Sequence, residues 1–453
     1  MSKQDASSES NKHVNASHPP LDLLSATSLV AASMIGAGVY TTSGFTLADL
    51  GSPGWVVTAW VVAGVIAICG AICYGALARE LTESGGEYMF LSRAFHPIAG
   101  LMAGWVSLLA GFTSAIAFAA TTFEAYLEPV LDWPGGVVAS IVVLLAALLH
   151  TIGVRPGARI QDAVVLLKFA LIGAFVVIAI RSIAIGSLEG DSLIVSNETT
   201  QSTSFDNPSF AFALSFATAL MWISLSYSGF NAATYVAGEV KDAKRNVPRA
   251  MLFGTLLVTV CYVALNAIFV YGAPQDTVVG QPDIAAKAAE AIGGPSFTLF
   301  VRVVILFGLF TSVSAMVMTG PRVYAKMAED GFLPSWFRLA GRPPIAAIWA
   351  QVVMSIVVIN ISSLEELLKY LAFTLSVSAA LTASLLFWAR GKDGKRISVP
   401  AYPVPPVVFV GGTLLAAILS AIHSPVQAVV GIATIAFGAM LYPWYKRRQR
   451  LMH

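Results

Sequence analysis

The sequence predicts an all-α membrane protein that crosses the bilayer many times. Of its 453 residues, 57% are hydrophobic and only 11% are charged, a composition that soluble globular proteins of this length do not have. A bilayer-spanning helix needs about 20 mostly apolar residues, and the chain contains roughly twelve such stretches. They cover residues 22–47, 53–79, 97–123, 135–153, 161–186, 209–237, 249–272, 295–324, 344–362, 365–389, 403–421 and 425–445.

The distribution of Lys and Arg predicts the orientation in the membrane. Most of these residues fall on one side of the predicted spans, in runs such as 241–245, 390–396 and 446–448. Cytoplasmic loops are enriched in Lys and Arg. We therefore expect both termini in the cytoplasm and a location in the plasma (inner) membrane. Five basic residues depart from the pattern: Lys168, Arg181, Lys287, Arg302 and Lys369.

Several function classes are disfavoured by composition. The net charge is only +2, so no basic patch indicates a nucleic-acid partner. The three cysteines, Cys69, Cys73 and Cys261, fall inside predicted spans and have no metal-ligand spacing. We predict neither a metal nor a cofactor. The spans contain no paired aspartates, His-x-x-x-His or Gly-x-Ser-x-Gly pattern, and an enzyme is therefore not expected.

Two of the predicted spans are interrupted by poor helix formers. The first span has Gly36-Ala37-Gly38 near its middle, and the sixth has Ser226, Ser228, Gly229 and Asn231. A glycine costs about 1 kcal/mol relative to alanine in a helix interior. Two interrupted spans at matching positions of two halves indicate a transporter with inverted repeats and a binding site between the breaks. The alternative is that small residues merely let helices pack closely.

Four blocks of sequence resemble the amino acid–polyamine–organocation (APC) superfamily of transporters. The first three are SMIGAGVYTTSGF in the first span, ELTESGGEYMFLSRAFHP after the second, and YSGFNAATYVAGEVKDAKRNVPRAM in and after the sixth. The fourth is SAMVMTGPRVYAKMAEDGFLPSWF at the end of the eighth span. The third block is most similar to the L-type amino acid transporter branch.

The resemblance implies a LeuT-type fold, with two inverted repeats of five helices, two further helices, and breaks in the first and sixth. It also implies transport of amino acids or amines, driven by exchange, protons or Na⁺. The predicted organisation is a disordered cytoplasmic tail (1–21), the first repeat (22–186), an extracellular loop (187–208), the second repeat (209–389), a cytoplasmic loop (390–402), helices 11 and 12 (403–446) and a cytoplasmic tail (447–453).

A zwitterionic amino acid needs hydrogen-bond donors for its carboxylate and acceptors for its ammonium. Backbone N–H groups at the start of a resumed helix supply the donors, and carbonyls at the end of a half-helix supply the acceptors. We expect Gly36 and Gly38 to lie in non-helical backbone and to face Gly229 across a cavity. The predicted substrate site comprises Ile35, Gly36, Ala37, Gly38, Ser228, Gly229, Phe230 and Asn231.

The resemblance places Asn231 where L-type relatives have a substrate-contacting asparagine. Phe230 fits a substrate contact or ordinary packing equally well. Because neither break contains an acidic residue, a neutral amino acid is favoured over a polyamine. The alternatives are an amine or polyamine antiporter, or an ion carrier or channel of the same fold. Some relatives need a disulfide-linked partner, but the loop 124–134 has no cysteine, so none is expected here.

Lys168 lies well inside the fifth predicted span, where a lysine costs about 2.5–3.5 kcal/mol. By resemblance, its ammonium replaces the Na⁺ of Na⁺-coupled relatives. It would link first-span carbonyls to the hydroxyls of Thr311, Ser312 or Ser314, and this group of four is the predicted coupling site. The alternative is that Lys168 reaches back to the cytoplasmic surface. Arg302 is expected to reach the outer surface in the same way.

Two segments between spans have predicted roles. A cytoplasmic hairpin carries Glu80, Gly85, Gly86, Glu87 and Tyr88 and is expected to help close the inner gate. The stretch 281–292 has a helical composition but is too short and polar to span. We expect it to form a helix that lies on the outer face.

Overall fold

The computed structural model describes residues 21–82, 85–131, 133–152, 167–178, 181, 208–337, 345–391 and 394–452. Helices joined by short loops make up almost all of this part. Two predicted segments, the tail 1–21 and the outer loop 187–208, lie outside the described residues except for Leu21 and Pro208.

The helices follow the apolar stretches of the sequence. The first seven are α1 (Leu23–Met34), α2 (Ala37–Leu50), α3 (Pro53–Glu80), α4 (Gly86–Ala94), α5 (Pro97–Leu127), α6 (Val137–Thr151) and α7 (Leu167–Ile178). The others are α8 (Pro208–Tyr227), α9 (Ala232–Glu239, a 3₁₀ helix), α10 (Ala243–Tyr271), α11 (Gln275–Val278), α12 (Ile284–Glu329), α13 (Ile345–Ile361), α14 (Leu364–Ser384), α15 (Val404–His423) and α16 (Pro425–Met452).

Length and composition identify a multi-pass membrane protein. The described part contains eight helices that are long and apolar enough to cross a membrane, or nine if the bent pair α1 and α2 forms one span. Shorter apolar helices are α6, α7 and α13. The all-α polytopic fold is therefore confirmed, while the count of about twelve spans and the inverted repeats stay predictions.

Local sequence signals fix where several helices begin. The Asp22 side chain accepts a hydrogen bond from the Ser25 amide (2.7 Å) at the start of α1. Pro53 occupies the first turn of α3, where its missing N–H costs nothing. Ser363 and Glu366 form a reciprocal capping box at the start of α14. These residues determine where the helices begin, while the apolar stretches of the sequence determine where the helices run.

Packing brings the two interrupted regions together in the interior. Helix α10 packs against α1 and α3, while α8 packs against α2, α14 and α15. At the predicted cytoplasmic end, the chain before α1 is joined to the end of α9. The Leu21 amide donates to the Glu239 carbonyl, and the Lys241 amide donates to the Leu21 carbonyl, both at 2.9 Å. The start of α1 is thus held against the segment that follows the sixth predicted span.

The stretch 281–292, predicted to be on the outer side, is helical from Ile284 onward, but it is more deeply buried than expected. Its helix is the first part of α12, which bends at Gly294 (φ 70°) before continuing. Ile284, Ala285 and Ala288 are fully buried. The apolar side of this segment is covered by protein, so the helix is built into the bundle and does not simply lie on its surface.

Arg302 does not reach the outer surface, and the expectation of snorkelling was wrong. Its guanidinium pairs with Asp283 at 2.7 Å and donates to the Tyr126 carbonyl at 2.7 Å. Both charged side chains are buried, with exposed fractions of 10% and 6%. Asp283 comes from the outer segment that precedes α12, and the sequence alone does not pair these two residues. The ion pair ties that segment to α12 and to α5.

We expect Arg302→Met to destabilise the protein strongly. Removing one partner of a buried ion pair leaves the Asp283 carboxylate uncompensated, which costs about 3–5 kcal/mol. The midpoint of thermal unfolding in detergent measures the effect. Glu365→Gln is the matched control, because it breaks the Glu365–Lys369 pair (2.6 Å), whose side chains are 48% and 22% exposed. An exposed pair contributes about 0–1 kcal/mol. Equal shifts in the two variants would contradict a structural role for the buried pair.

Candidate functional site

The first break lies between α1 and α2, whose axes differ by 41°. Helix α1 ends at Met34, Gly36 adopts an extended conformation (φ −129°, ψ −158°), and α2 begins at Ala37. No side chain caps the start of α2. The N-cap residue, Gly36, therefore offers no side-chain acceptor to the N–H groups of the first turn, and the positive end of the helix dipole points into the break. Backbone N–H groups at such a helix start are typical anion ligands, and the role of residues 36–38 in binding a substrate carboxylate stays a prediction.

The second break follows α8 and is a tight turn. Helix α8 ends at Tyr227, and Gly229 has φ 104°, a conformation that favours glycine because L side chains crowd the backbone there. The Ala232 amide donates to the Gly229 carbonyl (2.9 Å), and the chain continues as the 3₁₀ helix α9. Ser228, Gly229, Phe230 and Asn231 thus lie together in the interruption.

The two breaks touch directly. A Cβ atom added to Gly229 would lie 2.7 Å from the Ser33 carbonyl oxygen, and one added to Gly38 would lie 2.5 Å from Ser226 Oγ. The expectation that these glycines face each other across a cavity is therefore wrong for this conformation. Gly36 is non-helical as expected, but Gly38 lies inside α2. Its absent side chain is what lets α2 approach α8.

Tyr262 on α10 contacts both breaks, and no pattern in the sequence pointed to it. Its buried hydroxyl donates to the Met34 carbonyl at 2.6 Å and lies 3.2 Å from the Ser226 carbonyl. Those carbonyls sit at the ends of α1 and α8, where helical partners are missing. A single hydroxyl therefore lies within hydrogen-bonding distance of backbone carbonyls on both sides of the site, and its one proton points best to the Met34 carbonyl. A tyrosine within an apolar span is common, so only the fold reveals this contact.

Lys168 lies inside the protein, with 6% of its surface exposed. Its ammonium donates to the Ile35 carbonyl at 2.8 Å and lies 3.4 Å from Ser312 Oγ. Of the three predicted hydroxyl partners, only that of Ser312 lies within hydrogen-bonding distance of the Lys168 ammonium. The Thr311 hydroxyl donates to the Gly308 carbonyl of its own helix, and Ser314 bonds to His150 at 2.8 Å. The lysine thus joins α7, the first break and α12.

A buried carboxyl group lies beside the second break. Glu87 on the hairpin helix α4 accepts hydrogen bonds from Tyr74 (2.7 Å) and Ser378 (2.8 Å), and from the Asn231 amide at 3.4 Å. Burial raises the pKa of Glu87 above its usual range, while the bonds from Tyr74 and Ser378 act in the opposite direction. The sequence placed Glu87 in a gating hairpin but did not place it next to Asn231.

A separate cavity of about 570 Å³ opens near the predicted outer ends of the helices. Its lining includes Phe45, Glu124, Trp133 and Glu365, and none of the predicted substrate residues. The Glu124 carboxylate is already bonded to the amides of Gly136 (2.9 Å) and Val138 (3.0 Å). This carboxylate therefore fixes the loop before α6.

Comparison with known proteins identifies the family. An amino acid permease family model matches residues 21–443. The chain is 25% identical to the serine/threonine exchanger SteT of Bacillus subtilis, over 95% of the chain and 97% of that protein. It is 25% identical to the mouse large neutral amino acids transporter small subunit 2 (93% and 80% covered) and 26% identical to the human Asc-type amino acid transporter 1 (93% and 81%). The chain therefore belongs to the amino acid permease family of the APC superfamily.

Proposed function

We propose that the protein is a secondary active transporter that exchanges neutral amino acids across the membrane by alternating access. The observation that carries this proposal is the pairing of two helix interruptions in the interior of an amino acid permease. The relatives are named as amino acid exchangers and transporters, and the prediction that the chain is not an enzyme is thereby confirmed.

The proposed substrate site uses backbone groups of both breaks. The substrate carboxylate would accept hydrogen bonds from the first turn of α2, at Ala37 and Gly38, as anions do at helix N-termini. The ammonium would lie near carbonyls at the ends of α1 and α8, from Ile35 to Gly36 and from Ser228 to Gly229. Phe230 and Asn231 would border the side chain. Since Gly38 and Gly229 touch the opposite break, binding requires the two breaks to separate.

We further propose that Lys168 occupies the place of a coupling cation. Its bonds to the Ile35 carbonyl and Ser312 support this role, because carbonyls and hydroxyls are the oxygen ligands of a small cation. Thr311 and Ser314 have other partners in this conformation and belong to the proposal only if α12 moves. Protons, Na⁺ or a second amino acid are the candidate coupling species.

The proposed setting is the plasma (inner) membrane, with both termini in the cytoplasm. The excess of Lys and Arg in the loops on that side supports this orientation. One relative is named a small subunit. The loop 124–134 of this chain contains no cysteine, so we propose that transport needs no disulfide-linked partner. The cargo is an amino acid, and the surrounding lipid is the other partner.

A cationic substrate is the second candidate, and Glu87 is the observation that favours it. The sequence showed no acidic residue in either break, yet the fold brings this carboxyl group within 3.4 Å of Asn231. A substrate ammonium placed there would meet a negative charge. Transport of lysine or a diamine in preference to neutral amino acids would favour this alternative.

Counterflow in proteoliposomes tests the proposed function. We expect vesicles loaded with an unlabelled neutral amino acid to accumulate labelled serine, threonine or leucine, with saturation at high substrate concentration. The panel includes lysine and putrescine, and uptake is measured with and without a pH gradient or Na⁺. A channel would pass current without counterflow, and that result would contradict the proposal.

We expect Asn231→Ala to weaken substrate binding while the protein still inserts and folds. A lost hydrogen bond to a charged group costs about 1.5–3 kcal/mol, so the apparent KM should rise about tenfold or more. Concentration-dependent uptake gives KM, and size-exclusion chromatography in detergent checks folding. Ser140→Ala is the control, since this hydroxyl bonds the Gly136 carbonyl of its own helix. An unchanged KM for several amino acids would remove Asn231 from the site.

We expect Lys168→Ala to abolish transport or its pH dependence. The substitution leaves the Ile35 carbonyl without its donor, and a buried unsatisfied group costs about 1–3 kcal/mol. Because the ammonium stands in for a cation, Na⁺ is the first candidate for rescue, so uptake is measured across pH with and without Na⁺. Thr319→Ala is the control, since this hydroxyl bonds the Ala315 carbonyl of its own helix (2.7 Å) and lies outside the proposed coupling site. Wild-type uptake with an unchanged pH profile in Lys168→Ala would contradict a coupling role.

A further inference from the structure

The cytoplasmic hairpin delivers Glu87 into the interior through an unusual backbone. Gly85 and Gly86 both have positive φ values (139° and 58°), which glycine adopts without steric cost. A Cβ atom on Gly86 would lie 2.4 Å from the Tyr235 ring. The hairpin therefore packs directly against α9, the helix that follows the second break. This close approach places the next residue, Glu87, beside the second break, where its side chain is buried from water.

The carboxyl group of Glu87 is held by neutral donors. One oxygen, Oε1, accepts from Tyr74 (2.7 Å) and Asn231 Nδ2 (3.4 Å), and the other, Oε2, accepts from Ser378 (2.8 Å). Within the part of the chain that the structure describes, no basic side chain forms an ion pair with Glu87. Burying a charge without a counter-ion is costly. A carboxyl group at this position therefore suggests a role beyond packing.

The hydrogen bond to Glu87 determines which way the Asn231 amide points. An ionised carboxylate only accepts hydrogen bonds, whereas a side-chain amide has one donating end and one accepting end. In the structure the NH₂ end of Asn231 faces Glu87, with Nδ2 donating to Oε1 at 3.4 Å, so the amide oxygen is turned away from the carboxyl group. An oxygen is the end that can accept a hydrogen bond from a substrate ammonium. Without Glu87, either end of the amide could occupy that place.

We infer that Glu87 is a positioning residue that fixes the Asn231 side-chain amide with its oxygen available to the substrate ammonium. The inference rests on the proposed function, in which Asn231 borders the amino acid site. It adds that the inner hairpin and the binding site are linked by one hydrogen bond. A hairpin that moves away from α9 would release the amide and lower the affinity for the amino acid.

Three substitutions of Glu87 separate positioning from packing. Glu87→Leu removes the acceptor without leaving a buried charge, and we expect the apparent KM to rise about tenfold with little change in maximal rate. Glu87→Asp should behave similarly, because the shorter side chain withdraws the oxygen from a contact that is already 3.4 Å long. Glu87→Gln keeps an acceptor for Asn231 and should retain most of the affinity. Glu239→Leu, at an exposed carboxylate on α9, is the matched control and should leave KM unchanged.

The decisive measurement is uptake kinetics for a double-mutant cycle with Asn231→Ala. If Glu87 acts through Asn231, Glu87→Leu should raise KM no further when Asn231 is already alanine. Additive effects, or an unchanged KM in Glu87→Leu, would overturn the inference. If Glu87→Leu is not recovered as monodisperse protein, Glu87→Asp provides the same cycle. An unchanged KM in Asn231→Ala alone would instead refute the proposed substrate site, so the two failures are distinguishable.

Discussion

A helix interrupted inside a membrane must satisfy its freed backbone groups within the protein, and this constraint governs the centre of the molecule. Lipid offers no hydrogen bonds to a carbonyl at mid-depth. Here the Met34 carbonyl is satisfied by Tyr262, and the next carbonyl, that of Ile35, by Lys168. These donors come from different helices, α10 and α7. The end of α1 is therefore held from two sides, by groups on two different helices.

The same contacts define what has to change during transport. Gly229 lies against the backbone of Ser33, and Gly38 lies against Ser226, so the space for an amino acid is closed in this conformation. Opening at the predicted cytoplasmic end would move α1 and would break the bonds of Leu21 to the end of α9. Each of these contacts is a single hydrogen bond or a van der Waals contact. A hydrogen bond contributes about 0.5–1.5 kcal/mol to stability. Contacts of this strength stabilise the closed conformation of the bundle without preventing an open one.

The sequence predicted the fold better than it predicted the site. Hydrophobic length identifies the spans, and glycine and serine in an apolar stretch identify the breaks. The conformation of Gly36 followed from that argument, but the helical state of Gly38 did not, because its role is to let α2 approach α8. Among three candidate hydroxyls on α12, helical geometry turns only Ser312 toward Lys168, since adjacent residues point about 100° apart.

The parts of the site that the sequence did not predict depend on contacts between segments that are distant in the sequence. The buried charges show why these contacts matter. Arg302 and Asp283 form an ion pair at 2.7 Å, whose separation would expose two charges in a low-dielectric interior. A buried ion pair is therefore suited to segments that keep the same relative position. Lys168 and Glu87 are held instead by neutral oxygens and neutral donors, and both lie beside a break. A charge that is held by dipoles can exchange those partners for water or a substrate at lower cost. We therefore expect the buried ion pair to mark the rigid part of the bundle, and the ionisable groups held by neutral partners to mark the parts that move.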